Sequence, residues 1–404
     1  MTDASPTTGA GPTTGRARVL HYSHHSTGLG HLVRSLAIAR AIAERSDVLF
    51  CSGGPVPSGL AVPHGLRLVT LPPIGTGDGG ALTSLDPRYS LDDAWDARRQ
   101  QLLECFEAFD PDAVVIELFP FGRRKFAREL LALLERARQG RPRAVVSSVR
   151  DLLVDAHPEK KRHDDEAAER LDAHFDAVIV HGDPRFARLE ETFRPSVFPS
   201  VPVYYSGFVS PPTPVAPEVR RPCQVLVSAG GGMNGMRLFS TALEAHRATL
   251  GPMGLRTRIV TGPFLRAGSY EVLAKQSRSV DGLSVERFVP DLASAIAESA
   301  VSVSQCGYNT SIDLLRAGVP AVVVPYDEDG ETEQWARARR LEALGVVGLL
   351  PAGRLSQKAL ADAVLGALTS TASPVTLDLD GADTTAALIS SLVHALHAPD
   401  ALAS

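Results

Sequence analysis

The chain has 404 residues, 44% of them hydrophobic and 22% charged, which excludes a disordered or fibrous protein and suits two or three domains. Its 41 Lys and Arg against 46 Asp and Glu leave a formal net charge of −5, so no general positive field draws it to nucleic acid or anionic lipid. A small anionic substrate therefore needs local donors. Residues 1–15, rich in Thr, Gly, Pro and Ala and without a basic-then-apolar signal pattern, read as a disordered tail. No window approaches the ~20 continuous apolar residues of a membrane span. Cys51, Cys105, Cys223 and Cys306 are widely spaced with no CxxC, which favours a reducing compartment over a disulfide framework or zinc knuckle; the expected location is the cytoplasm.

After the tail, short β-branched runs at 18–22, 48–51, 113–116, 144–146 and 177–180 alternate with longer amphipathic ones. Leu32, Leu36, Ala39 and Ala43 recur at helical spacing, as do Phe126, Leu130 and Leu134. That alternation is what a parallel sheet with crossover helices requires, so 16–210 reads as a doubly wound, Rossmann-like half. Residues 211–222 hold five prolines in twelve positions and read as a semi-rigid linker. The alternation restarts in 223–404, with runs at 225–227, 259–260, 301–303 and 321–324, and closes on a helix at about 384–396. The expected fold class is α/β with two Rossmann-like halves.

Two glycine loops interrupt this pattern at strand-to-helix junctions. In the first, Ser26-Thr27-Gly28-Leu29-Gly30-His31, glycines let backbone amides approach a ligand, and His31 at the mouth of the helix is placed to take a proton from a hydroxyl or water. A plain tight turn is the other reading. The spacing is not that of a dinucleotide fingerprint, since the third glycine falls at Val33. His25, Glu117, Asp151 and His181 stand at strand ends, where open α/β sheets bind ligands, although each alone also suits a loop or cap. Phe119-Pro120-Phe121-Gly122-Arg123-Arg124-Lys125-Phe126 mixes aromatics with cations and suits either an anionic acceptor or the solvated start of a helix.

The second loop, Ser228-Ala229-Gly230-Gly231-Gly232-Met233-Asn234-Gly235, uncovers successive N–H groups ahead of a helix and suits a phosphate, yet lacks the Gly-Lys-Ser/Thr ending of a P-loop. Farther on, Ser304-Gln305-Cys306-Gly307-Tyr308-Asn309-Thr310 opens a helix with polar groups and glycine. Asp313, on its first turns, can accept two hydroxyl hydrogens as a ribose offers them, and Gln334 can bond sugar hydroxyls. Helix capping explains any one of these residues, but not their order along one half.

That order resembles the GT-B glycosyltransferases, family 28 in particular, over nearly the whole chain. The resemblance implies two Rossmann-like doubly wound domains facing a central cleft. It assigns Gly28, Gly30 and His31 to the acceptor side, where the strand-end residues Glu117, Asp151 and His181 and Arg123 of the aromatic-basic run are read as further acceptor ligands. On the donor side it assigns Gly230, Gly231, Gly232 and Asn234 to the diphosphate and the backbone at Val289 to the base. Ser304, Gly307, Asn309 and Thr310 belong to the family's Ser-x-x-Gly-x-x-Thr run, which places Asp313 on the ribose, and Glu333 with Gln334 falls on the sugar. Two departures matter. Ser304-Gln305-Cys306-Gly307 stands where the family has Ser-Arg-x-Gly, removing a cation, and Glu333-Gln334 stands for a Gln-Gln pair, which points to an amino or otherwise modified sugar. No lipid-facing apolar patch is evident at 72–100, where 75–80 reads as a mobile loop, so the expected acceptor is a soluble small molecule. The implied activity is transfer from a UDP-sugar by direct displacement, with His31 as base and neither metal nor cofactor. A UDP-sugar hydrolase, with His31 activating water, and a non-catalytic nucleotide-sugar-binding protein are the alternatives.

Overall fold

The computed structural model describes residues 15–397 except 26–29, 55, 57–61, 64, 77–80, 142, 154–157, 210–220, 290, 329–330 and 371–375. In the first half the strands are β1 (Arg18–Ser23), β2 (Asp47–Ser52), β3 (Leu66–Thr70), β4 (Ile74–Thr76), β5 (Leu82–Ser84), β6 (Ala113–Glu117), β7 (Ala144–Arg150), β8 (Ala177–His181) and β9 (Val203–Tyr205). The helices between them are α1 (Gly30–Ala43), α2 (Leu91–Phe109), α3 (Ala127–Ala137) and α4 (Lys160–His174). Seven strands form a parallel sheet in the order β3-β2-β1-β6-β7-β8-β9, and β4 and β5 pair separately as an antiparallel hairpin. Gly75 and Thr76 are therefore strand residues rather than part of a loop; 77–80 lie outside the described residues.

The second half contains β10 (Arg221–Ser228), β11 (Arg256–Val260), β12 (Leu283–Glu286), β13 (Ser299–Ser304), β14 (Ala321–Val323) and β15 (Gly348–Leu349). With them come α5 (Met236–Ala245), α6 (Ala267–Ser277), α7 (Leu292–Glu298), α8 (Tyr308–Ala317), α9 (Glu333–Ala343), α10 (Gln357–Thr369) and α11 (Gly381–His397). The six strands are parallel, in the order β12-β11-β10-β13-β14-β15. Arg221 and Pro222, expected in the linker, already belong to β10; 210–220 lie outside the described residues.

The strands read as near-continuous apolar runs because both faces of each sheet are covered. In β1, Leu20 and Tyr22 face Leu102 and Phe106 of α2, whereas Val19 shares the opposite face with Leu36 and Ile42 of α1. In β10, Val225 and Val227 pack with Phe239 and Leu243 of α5, and Leu226 with Ile312 of α8. Ser90, Asp291 and Ser356 cap α2, α7 and α10 by accepting from backbone N–H groups three residues on.

The chain finally crosses back. Asp378 N–H donates to Asp183, Phe208 N–H donates to the Asp378 carbonyl, and Gly381 N–H donates to the Phe208 carbonyl. A Cβ at Gly381 would sit 2.3 Å from the Gly207 carbonyl oxygen, so only glycine permits this approach. Beyond it, α11 lays Ala386, Ile389 and Val393 on the first sheet's core, and burial of the two larger side chains contributes roughly 1.5–3 kcal/mol each. Among the described residues no helix is long and apolar enough to cross a membrane.

Candidate functional site

Each sheet reverses its strand order once, at β1/β6 and at β10/β13, and beyond the carboxyl ends of these strands an open α/β sheet leaves a crevice. The two crevices meet in one cavity of about 380 Å³. Gly30, His31, Arg34 and Arg150 line it from the first half. Gly230 and Gly231 line it from the second half, as do Val289, Gly307, Thr310 and Asp313. Asn309 also lies there, its Nδ2 donating across the cleft to the Gly30 carbonyl at 3.5 Å. Gly28 lies outside the described residues.

The first sheet delivers a hydrogen-bonded imidazole and carboxylate to this cleft. His31 opens α1, and Glu117 ends β6, the strand beside β1. His31 Nδ1 lies 2.6 Å from Glu117 Oε1, which also accepts from Arg34 Nη2 at 2.7 Å, while Arg123 approaches Oε2 at 3.5 Å. Burial opposes ionisation of Glu117, but its imidazole and guanidinium partners outweigh that cost and hold the carboxyl well below its usual range. An ionised carboxylate only accepts, so neutral His31 carries its proton on Nδ1 and keeps the Nε2 lone pair. Burial pushes the imidazole down to about 4 against the raising effect of Glu117, so this base is unprotonated at neutral pH.

Opposite it stands the glycine loop after β10. Gly232 adopts φ +90°, and a Cβ there would fall 1.8 Å from the Thr261 carbonyl oxygen, so this turn is closed to every other residue. Gly307 is the N-cap of α8 and turns the helix's free N–H groups toward the cleft. Asp313, six residues farther along, is pushed up to about 7 by burial and by the neighbouring Asp291.

Several expected ligand residues instead bond to the protein itself. His181 is fully buried, with Nε2 2.6 Å from Ser148 Oγ and Nδ1 3.0 Å from Ser206 Oγ; it is enclosed because β8 lies between β7 and β9. Asp151 accepts two bonds from Arg337, at 2.8 and 2.9 Å, and Glu333 accepts from Arg337 at 2.7 Å and pairs with Arg150 at 2.6 Å. These four residues form an ion network between the end of β7 and α9, so Glu333 faces guanidiniums rather than open space for an amino sugar. Gln334 Oε1 accepts from the N–H groups of Cys306 and Tyr326 and ties two loops together. Ser304 is buried at the end of β13, off the cleft. Asn234 lines a separate cavity of about 220 Å³, and its carbonyl accepts from Gln305.

Arg34, Arg150, Arg337 and Tyr308 were not singled out in the sequence. The Tyr308 hydroxyl donates to the His181 carbonyl at 2.9 Å and accepts from Val209 N–H at 3.0 Å, which joins α8 to the first half, and the Arg34 guanidinium lies over its ring. The one available signal was position: Arg34 follows His31 by three residues, one helical turn, and Arg150 precedes Asp151 at a strand end.

The buried histidines make the fold acid-sensitive. Burial lowers His21 to about 4, His24 to about 2, His31 to about 4 and His181 well below its ordinary value. A folded-state pKa below the unfolded one stabilises fully above about pH 6.5 and loses that contribution as pH falls. Raised Asp313 acts in the opposite sense and offsets about one histidine. Chemical denaturation at pH 5 should therefore give a stability on the order of 3–5 kcal/mol below that at pH 7, and equal values would contradict the neutral, buried imidazoles.

Residues 235–380 match the glycosyltransferase family 28 C-terminal domain. The UDP-N-acetylglucosamine--N-acetylmuramyl-(pentapeptide) pyrophosphoryl-undecaprenol N-acetylglucosamine transferase of Methylibium petroleiphilum is 30% identical over 187 residues, 46% of this chain and 45% of that protein. The Xanthomonas axonopodis pv. citri protein of the same name is 33% identical over 129 residues, 32% of this chain and 29% of that protein. The chain thus spans less than half the length of these curated relatives. Among solved structures, CalG4, the calicheamicin glycosyltransferase, superposes with a TM-score of 0.59 at 17% identity, covering 95% of both chains. MurG of Acinetobacter baumannii gives 0.55 at 16% identity, covering 93% of this chain and 99% of the other. At these identities the likeness to solved structures is one of fold.

Proposed function

We infer that this chain, which has the GT-B fold and carries a family 28 glycosyltransferase C-terminal domain, is itself a glycosyltransferase, moving a sugar from a nucleotide-diphosphate sugar to an acceptor hydroxyl or amine. The observation that carries this reading is the single cleft holding a neutral imidazole from one half and a glycine turn with a helix N-terminus from the other. His31 Nε2 takes the acceptor proton as the acceptor atom bonds to the anomeric carbon. The bond from that carbon to the β-phosphate oxygen breaks, and its electron pair leaves with the nucleoside diphosphate. Glu117 holds the imidazole in the required tautomer and balances its charge once protonated. N–H groups at Gly230, Gly231 and the start of α8 face the departing diphosphate, so developing charge meets fixed dipoles.

The donor is read as a UDP-sugar, with the base against the Val289 backbone and the ribose on Asp313. The acceptor is read as a soluble small molecule, since Leu85 is the one exposed large hydrophobic residue among the described residues of 72–100. A reducing, cytoplasmic setting suits its four free cysteines.

The test is incubation of the purified chain with UDP-sugars and a panel of soluble and lipid-linked acceptors. Sugar transfer to a soluble acceptor is the expected result; transfer to a lipid-linked acceptor alone would overturn the acceptor reading. Prompt release of free sugar and UDP without acceptor would replace transfer by hydrolysis, and no turnover despite tight binding would leave a binding protein. In thermal-shift measurements UDP should stabilise more than TDP or GDP, and the reverse ranking would overturn the base assignment. Asp313→Ala should weaken UDP binding by roughly 1–3 kcal/mol and shrink the discrimination against 2′-deoxy-UDP. Calorimetry giving unchanged values for both would remove Asp313 from the ribose site.

A further inference from the structure

Among the described residues, the second half contributes no cation to the lining of the cleft. Among its described lining residues there are glycines, apolar side chains, Tyr308, Asn309, Thr310 and the acidic Asp313, but neither Lys nor Arg. Gln305 stands at the place where the family resemblance expects a cation, and its amide donates to the Asn234 carbonyl, at the separate cavity. A departing diphosphate carries more negative charge than backbone dipoles alone offset. The compensating charge has to come from the first half.

Two guanidiniums there line the cleft, Arg34 and Arg150. Arg34 is 2% exposed and committed to Glu117 and the Tyr308 ring. Arg150 keeps a side-chain exposure of 19%. Its Nη2 lies 2.6 Å from Glu333 Oε2 as an ion pair without directed hydrogen-bond geometry, and neither its Nε nor that Oε2 has a hydrogen-bond partner among the described residues. The surrounding charges leave an excess. Arg34, Arg123, Arg150 and Arg337 face Glu117, Asp151 and Glu333, four cations against three anions, with His31 neutral. Glu117 takes two of these cations, Arg34 and Arg123, so the excess lies beside His31; Arg337 and Arg150 share Asp151 and Glu333, and because Arg337 holds both carboxylates by directed bonds, Arg150 is the member of that pair that lines the cleft and is loosely held.

We propose that Arg150 is the diphosphate-binding cation of this site, reaching from the end of β7 to the phosphate oxygens held by the Gly230–Gly231 turn and the start of α8. This inference rests on the nucleotide-sugar reading above. As the bond to the anomeric carbon breaks, the electron pair passes to the β-phosphate oxygen, and Arg150 turns its loosely directed N–H groups from Glu333 to the oxygens that gain charge. Charge-assisted bonds from a planar guanidinium suit such oxygens in pairs. Because Arg150 belongs to the first half and the glycine turn to the second, the diphosphate itself draws the halves together.

Isothermal titration of the full chain with uridine and UDP tests this. Arg150→Gln should bind UDP 10- to 100-fold more weakly than the wild type while its uridine affinity stays within about twofold. Arg150→Lys, which retains the pairing charge toward Glu333 and serves if the glutamine variant does not fold, should lose about 3- to 10-fold for UDP alone. UDP affinity equal to wild type in a folded variant would overturn the proposal while leaving the nucleotide-sugar reading intact. A parallel loss of uridine and UDP affinity would also overturn it, since it would mark Arg150 as structural. Failure of the wild-type chain to bind UDP, TDP, GDP or ADP would overturn both.

Discussion

His31→Ala is expected to lower kcat by about 10²- to 10⁴-fold while UDP binds with wild-type affinity. The loss has this size because His31 is the base that the first half presents to the cleft among its described lining residues, whereas Asp313 of the second half is assigned to the ribose. Glu117 is fully buried behind His31, and its carboxylate is saturated by the imidazole and by Arg34. The pH profile carries a second, independent expectation. Burial holds the imidazole at about 4, so kcat at saturating donor, where Asp313 is covered, should stay level from pH 8 down to about 5 and fall on an acid limb near 4 rather than near 6.5. The direction follows from the role: protonation of Nε2 removes the base, so activity is lost as pH falls. Glu117→Gln should move this limb downward, because the carboxylate that raises the imidazole is gone while the Arg123 and Arg150 guanidiniums, which lower it, remain. A His31→Ala enzyme with unaltered kcat, or a limb that persists in its absence, would assign the proton transfer elsewhere.

Arg337→Met should destabilise the fold by about 3–5 kcal/mol. Arg337 is 1% exposed and is the sole described hydrogen-bond donor to the Asp151 carboxylate, which is itself buried. Its removal leaves one carboxylate unpaired and another with Arg150 alone, in a setting where water cannot replace the lost partner. Adding Asp151→Asn to the same chain should recover part of the loss, because the stranded charge is then gone. Urea denaturation of the single and double variants reads both effects. A single variant within about 1 kcal/mol of wild type would mean that water reaches this interface freely.

The glycine loop after β10 and the doubly wound halves were legible in the sequence, because they follow from local rules. A buried parallel strand needs a continuous apolar run, as in Val114-Val115-Ile116, and a turn such as Gly232 has no room for a Cβ. Short edge strands such as Val203–Tyr205 and Gly348–Leu349 carry too few residues to show a period, and went unread. The ligand residues divide in the same way. His181 and Glu117 look alike in sequence, each a polar residue closing an apolar strand, yet one is enclosed by Ser148 and Ser206 while the other holds the imidazole of His31, 86 residues away. Asp151 and Arg337 lie 186 residues apart and find each other only where the end of β7 meets α9. Periodicity and glycine placement are properties of neighbours along the chain. Which carboxylate meets which cation depends instead on the tertiary structure: Glu117 finds His31 and Arg34 within the first half and Asp151 finds Arg337 across from the second, because desolvation holds a buried charge to whatever partner the fold presents.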